Sequence, residues 1–314
     1  MLTILTILFS IAVLAILTAY ICYRISFFAP NRIADEDVRI HLPEGGQYDV
    51  LRDGIQKSVD RMLARDYESV YITTFDGKKL FARYYHVADD APLQIQFHGY
   101  KSSAILDFSG GSYLAATLGQ NALVVDQRSH GKSEGKSITF GVKERKDVLC
   151  WIDYANQRFG TDTKIILAGL SMGAATVLMA TDQNLPDNVV GIFADCPYSA
   201  PSDIIKKVCK TDMHLPSKLL FPFIKLGARC FAGFDLEESS AVSAVKNARI
   251  PILIIHGEAD YFVPCDMSRA IAASNQEKVS LVTIPDAGHG LSYMVNPPKY
   301  EAAAIPFLKN VVSN

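Results

Sequence analysis

The chain has 314 residues, 49% hydrophobic and 20% charged, with 31 Lys and Arg against 33 Asp and Glu and a formal net charge of −2. That balance lacks the basic footprint of a nucleic-acid-binding protein, and bulk charge does not favour an anionic substrate. The length is that of one large α/β unit with accessory segments.

The apolar surplus lies at the front. Leu2 to Tyr23 reads LTILTILFSIAVLAILTAYICY, broken only by Thr3, Thr6, Ser10 and Thr18 and free of charge. As a helix rising ~1.5 Å per residue it spans roughly 33 Å, enough for a hydrocarbon core. A cleaved signal peptide and a buried core helix are the alternatives. A signal peptide calls for a basic n-region and a small-residue cleavage site, and neither flanks this stretch. Residues 1–23 are therefore read as a retained single-pass anchor. Arg24, Arg32 and Arg39 follow it, which leans the rest of the chain toward the cytoplasm, although Asp35, Glu36 and Asp37 dilute the asymmetry.

Residues 24–66 are polar and mixed and read as a juxtamembrane linker with a short helix near Asp49–Ala64. From Ser69 the sequence alternates around the turn Phe75-Asp76-Gly77-Lys78, a hairpin pattern. Short apolar runs follow at Leu93–Phe97, Ala122–Val125, Ile165–Ala168, Val189–Ala194, Ile252–Ile255 and Val279–Ile284. Helical stretches follow near Ala104–Leu118, Val142–Arg158, Ala174–Thr181, Asp266–Ala273 and Pro298–Val312. Continuous apolar strands alternating with helices predict a mostly parallel sheet covered on both faces.

One excursion breaks the rhythm. Between Ala194 and Ile252 the chain carries two helical patterns and no strand, the signature of a cap at about 197–245. Tyr198, Phe221, Phe223, Phe231 and Phe234 give it either an apolar surface over a pocket or ordinary helix packing.

In doubly wound sheets ligands bind beyond the carboxyl ends of the strands. Those ends carry His98-Gly99-Tyr100, the run DQRSHGKSEG from Asp126, Gly169-Leu170-Ser171-Met172-Gly173, Asp195-Cys196-Pro197, His256-Gly257-Glu258-Ala259-Asp260 and Asp286-Ala287-Gly288-His289-Gly290. Three of them supply Ser, Asp and His in that order, with G-x-S-x-G at a strand-to-helix junction. From about Tyr67 to its end the chain resembles the α/β-hydrolase superfamily, and within it the bacterial membrane-anchored members with a short helical cap. The motifs HGY, DQRSHGKSEG, GLSMG, ADCPYS and IHGEADYFVP carry the resemblance.

The resemblance implies roles that chemistry makes intelligible. Ser171 is the expected nucleophile, in an elbow that Gly169 and Gly173 let close without clashes. His289, between Gly288 and Gly290, is the expected general base. Asp260 is the expected partner of the imidazole, with Glu258, Asp195 and Asp286 as rivals. Backbone N–H groups of Met172 and Tyr100 are the expected oxyanion donors. His98, His130 and His256 are expected to be structural; His41 and His86 precede the core and His214 lies in the cap. Asp126 and Arg128 are expected to pair within their own turn, which lacks the G-x-x-x-x-G-K-[ST] spacing of a phosphate loop.

Cofactor and metal are not expected. Cys22 lies in the anchor, and Cys150, Cys196, Cys209, Cys230 and Cys265 are widely spaced without a C-x-x-C pair, matching neither a disulfide framework nor a zinc site. Isolated thiols of this kind agree with a reducing compartment. The expected activity is acyl-enzyme hydrolysis of a carboxylic ester, small-molecule or lipid. A peptidase, amidase or thioesterase with the same triad is the alternative, and a non-catalytic membrane-tethered binding protein a remote one.

Overall fold

The structure, a computed structural model, describes residues 1–29, 38 and 42–313. Arg32, Asp35, Glu36, Asp37 and Arg39, which bear on the orientation expected from sequence, and His41 lie outside the described residues.

The chain begins with α1 (Leu2–Ser26) and α2 (Gln47–Leu63), then the hairpin β1 (Glu68–Thr73) and β2 (Lys79–Tyr85). The first half continues through β3 (Leu93–Phe97), α3 (Ala104–Phe108), α4 (Gly111–Thr117), β4 (Asn121–Asp126) and α5 (Glu144–Phe159). Next come β5 (Ile165–Leu170), α6 (Met172–Met179), β6 (Val189–Asp195), α7 (Pro201–Lys207), α8 (Ser217–Gly227) and α9 (Ala241–Val245). The chain closes with β7 (Ile252–Gly257), α10 (Cys265–Ser274), β8 (Val279–Ile284), α11 (Ser292–Val295) and α12 (Pro297–Ser313).

The strands form one eight-stranded sheet in the order β1-β2-β4-β3-β5-β6-β7-β8. The β1–β2 and β2–β4 pairs are antiparallel; all other pairs are parallel. Sequence pattern follows position. β3, β4 and β7 are buried at every residue, as central strands covered on both faces must be, whereas the edge strand β1 alternates exposed and buried toward its end. Helices α2, α3, α4 and α12 cover one face, and α5, α6, α9 and α10 the other. The helix expected over Ala104–Leu118 is divided at Ser109 and Gly110, where helix propensity is low. Helix α2 is no loose linker piece: Val59 and Met62 are buried in the layer over the sheet.

Two glycines set the junction between β5 and α6. A Cβ on Gly173 would lie 1.8 Å from the Phe97 carbonyl oxygen, and one on Gly169 would lie 2.4 Å from the Gly173 carbonyl. Only hydrogen fits at either place. The helix consequently starts directly on the ends of β3 and β5.

Helix α1 is long and apolar enough to cross a membrane, and an eighteen-residue stretch of it of that character is almost wholly exposed. Its last turns are docked. Ala19 and Tyr23 are buried, and Gly227 of α8 packs so close that a Cβ there would lie 2.5 Å from the Ala19 carbonyl oxygen. The Tyr23 hydroxyl meets Ser137 Oγ at 3.0 Å. Beyond the helix, Ala29 N–H donates to the Lys136 carbonyl and Ile138 N–H donates to the Phe27 carbonyl. Phe27, fully buried, meets Phe140 and Phe234 edge-on.

The excursion after β6 holds three helices rather than two. Helix α9 packs on α6 and α10 and belongs to the covering layer, which leaves α7 and α8 above the sheet ends. Of the five aromatics expected there, Tyr198 lines the cavity beneath. Phe231 instead packs on Tyr20 and Tyr23, Phe234 on Phe27, and Phe221 lies under the Lys206 ammonium. On α8 the pocket-facing positions are Leu220 and Leu220's i+4 neighbour Ile224, so Phe221 and Phe223 project elsewhere.

Gly173→Ala should lower Tm by about 6–12 °C, equivalent to about 3 kcal/mol of forced displacement in a packed interior, or abolish folding. Gly110→Ala, which faces open space, should change Tm far less; thermal unfolding of the two variants checks the contrast.

Candidate active site

The site is assembled where three strand ends meet. Ser171 follows β5 at φ 54° and ψ −114°, a conformation uncommon for a residue with a Cβ and costing on the order of 1–3 kcal/mol. The strain is held by backbone bonds: Ser171 N–H donates to the Asp195 carbonyl at 2.8 Å, and Ser171 C=O accepts from Ala175 N–H at 3.0 Å. The side chain is thereby lifted toward His289, whose Nε2 lies 2.9 Å from Ser171 Oγ.

His289 sits in the loop after β8. Its Nδ1 lies 2.7 Å from Asp260 Oδ2. An ionised carboxylate only accepts, so Nδ1 carries the proton and Nε2 is left to accept from the serine hydroxyl. Phe262 lies edge-on to the imidazole at 5.1 Å.

Asp260, after β7, is saturated with donors. Oδ1 accepts from the Phe262 and Val263 amides at 3.0 and 2.8 Å, and Oδ2 accepts from His289 and from His256 Nε2 at 3.2 Å. Burial works against its charge, but the hydrogen bonds from His256 and His289 outweigh it and hold the carboxyl well below the usual range. His256 is fully buried, with Ser268 Oγ 2.6 Å from its Nδ1, so it serves as a donor to Asp260.

The rival acids lie elsewhere. Glu258 accepts from Thr283 Oγ1 at the surface. Asp286 is held through its carbonyl, which accepts from Gln47. Asp195 is buried beneath the serine, bonded by the Tyr300 hydroxyl at 3.1 Å; burial pushes its carboxyl up to about 6.

The loop after β3 runs alongside. A Cβ on Gly99 would sit 3.4 Å from the Ser171 Cβ. Gly99 N–H is fixed by Asp107 Oδ2 at 2.6 Å, and Ser102 Oγ donates to the other oxygen of the same carboxylate. Among the described residues neither the Tyr100 nor the Met172 amide donates to a protein acceptor. His98 and His130 hold this loop from below: His98 Nε2 accepts from Gln127 N–H at 3.1 Å, and His130 Nε2 accepts from Lys101 N–H at 3.0 Å. Burial lowers His98 to about 4, so it is neutral. Asp126 and Arg128 do not pair with each other. Asp126 takes Arg83 at 2.9 Å, and Arg128 takes Asp147 at 2.6 Å and Asp76 at 3.1 Å. Asp126 is the last residue of β4 and meets Arg83 of the neighbouring strand β2, whereas Arg128 lies two residues past the strand and meets Asp147 of α5 and Asp76 of the β1–β2 turn.

Cys196, Asp260 and His289 bring three donor atoms within 4.8 Å of one another. The set suits a proton relay rather than a cation. His289 Nδ1 is already committed to Asp260, and burial raises the Cys196 thiol well above its ordinary value, which keeps it protonated.

Two residues essential to this geometry have no motif. Gln47 and Tyr48, at the start of α2, clamp the histidine loop. Gln47 Oε1 accepts from Gly288 N–H at 2.7 Å, Gln47 Nε2 donates to the Asp286 carbonyl, and the Tyr48 hydroxyl donates to the His289 carbonyl at 2.5 Å. The only sequence signal would have been an amide and a phenol opening a helix otherwise read as linker.

The cavity above Ser171 has a volume of about 230 Å³, and among the described residues none of those lining it is charged. Tyr100, Phe140, Tyr198, Ile204, Val208 and Ile224 form much of it.

Comparison with known proteins places this arrangement. A profile of the prolyl oligopeptidase family matches residues 135–314. The chain is 27% identical to Bacillus subtilis YqkD over 229 residues, 72% of this chain and 75% of that one. It is 25% identical to Salmonella typhimurium YfhR, covering 78% and 82% respectively. Among solved structures it superposes on the Pyrococcus furiosus esterase Pf2001 with a TM-score of 0.66 at 23% identity, covering 91% of this chain and 98% of that one. Pyrococcus horikoshii acylaminoacyl peptidase gives 0.55 at 18%, covering 75% and 40%. At these identities the solved structures speak to the fold.

Gln47→Ala should slow fluorophosphonate labelling of Ser171 by roughly tenfold, because the histidine loop loses both Gln47 hydrogen bonds and keeps only the one from Tyr48; labelling kinetics on folded protein check it. For Asp195, the folded value of about 6 lies above the unfolded value of about 3.9. The folded state therefore holds the proton more tightly, and stability from this group is lost as pH rises between those values. Asp195→Asn should stabilise the protein relative to the parent at pH ~8, by on the order of 2–3 kcal/mol, and not at pH ~4; paired melts at the two pH values check the sign.

Proposed function

The chain belongs to the prolyl oligopeptidase family and is an α/β-hydrolase enzyme, and on that premise we propose that it cleaves a carboxylic ester through an acyl-enzyme on Ser171. The observation that carries the reading is the unbroken run of hydrogen bonds from Ser171 Oγ through the His289 imidazole to Asp260. Ser171 Oγ attacks the carbonyl carbon while its proton passes to His289 Nε2. Asp260 stabilises the imidazolium that forms. The Met172 and Tyr100 amides supply the oxyanion donors, each worth on the order of a hundredfold in rate. Collapse of the intermediate breaks the bond to the alkoxy oxygen, which leaves as the alcohol with the proton from Nε2. Water, deprotonated by the same nitrogen, then attacks the acyl-serine, and carboxylic acid and free serine result.

An ester is favoured over a peptide by the lining of the cavity. A peptide segment brings amides that need partners, and each one buried without them is penalised by roughly 1–3 kcal/mol. The uncharged, mostly aliphatic walls offer few partners and suit an acyl chain. The family match keeps peptide or amide hydrolysis as the second reading.

Helix α1 serves in this reading as a single-pass anchor for an α/β-hydrolase domain that runs from residue 67 to the end, with α7 and α8 as its cap. Its length and its almost wholly exposed apolar surface support that role.

Ser171→Ala should reduce p-nitrophenyl ester hydrolysis by roughly 10⁴-fold or more, and Asp260→Asn by about 10³–10⁴-fold. Wild-type turnover by the Ser171→Ala protein would end the proposal. A parallel panel of esters, thioesters and aminoacyl amides decides the leaving group.

A further inference from the structure

Three residues of the apolar helix α1, Cys22, Ile25 and Ser26, line the same cavity as Ser171. The contact is built in. Tyr100, the residue whose amide flanks the serine, donates its hydroxyl to the Ser26 carbonyl at 3.0 Å. Helix α8 of the cap lies along α1 with Gly227 pressed against Ala19. The last turn of the helix is thus a wall of the cavity.

The rim has a matching character. Ile25, Met213, Leu215 and Phe262 all line the cavity, yet they are 52%, 43%, 38% and 42% exposed. A cluster of large apolar side chains open to water marks an interaction surface, and lipid is the medium in which it carries no penalty. Its height is set by α1. A hydrocarbon core of ~30 Å takes about 20 helical residues, so the end of this 25-residue helix reaches the interface. Tyr20 and Phe231, both partly exposed, meet there edge-on, with the Arg24 guanidinium over the Phe28 ring, as in an interfacial aromatic belt. The ester groups of acyl lipids lie at the same depth.

We infer that the substrate is a long-chain acyl ester resident in the membrane, and that its chain enters the cavity from the bilayer across Ile25, with α1 as a specificity-determining wall. This rests on the reading of Ser171 as the acylated residue. The cavity, at about 230 Å³, is smaller than the roughly 300–1,000 Å³ that encloses a drug-sized ligand. It takes the carboxyl-proximal part of a long acyl chain, with the remainder left in the bilayer beyond Ile25 and the alcohol part outside.

The test uses the full chain in phosphatidylcholine vesicles with p-nitrophenyl esters from butyrate to palmitate. Ile25→Trp should lower the palmitate-to-butyrate turnover ratio by roughly tenfold or more, and Ile25→Ala should move the preferred chain length upward. Leu14→Trp, on the exposed face of the same helix, should leave the profile unchanged. With wild-type protein, palmitate ester in the same vesicles should turn over about tenfold faster than ester supplied in separate vesicles. An unchanged profile in both Ile25 variants overturns the wall, and equal rates from the two vesicle arrangements overturn the lateral route. Absence of both fluorophosphonate labelling and butyrate hydrolysis in the wild type would instead be the failure of the parent reading.

Discussion

Residue 173 has no room for a side chain: any Cβ would strike the Phe97 carbonyl, and Gly169 meets the same limit from below. This close approach brings α6 onto the ends of β3 and β5 and forces Ser171 into its strained turn. The strain is stable because the surroundings overdetermine it, with the Asp195 carbonyl and the first turn of α6 both bonded to the serine backbone. Everything else at the site is arranged around an oxygen whose place is fixed by packing.

The second requirement is that loops distant in sequence meet that oxygen. The Asp260 loop is organised from within, by two of its own amides and by His256 four residues earlier. The His289 loop is not. It is tethered by Gln47 and Tyr48 of α2, so a segment before the hydrolase motifs completes their geometry. The front of the chain thus touches the site twice: α2 braces the proposed base, and α1 walls the cavity where the acyl group would lie.

Sequence revealed what short-range chemistry dictates. Parallel strands betray themselves by uninterrupted apolar runs because both faces are covered, and each of the six runs is a strand. Ser171, Asp260 and His289 could be named together because the ligand end of such a sheet is its carboxyl end, and the structure brings the three into one chain of hydrogen bonds. What stayed hidden depends on contacts across most of the chain. Nothing near Gln47 announces Gly288, 241 positions away. Asp126 and Arg128 look like partners in sequence, but each is taken by a residue distant in the chain, Arg83 for the one and Asp147 and Asp76 for the other. The cap aromatics were ambiguous because an aromatic residue suits a pocket wall or a helix interface equally, and the direction of α8 decides between them.

The docked end of α1 has a mechanical consequence. Hydrogen bonds from Ala29 to Lys136 and from Ile138 to Phe27 continue the helix into the body without slack. In the anchoring role proposed for α1, thicker or thinner bilayers change the tilt of the helix. With a rigid mounting the body must lean with the helix. In that proposed role, bilayer thickness would set how the rim meets the membrane surface.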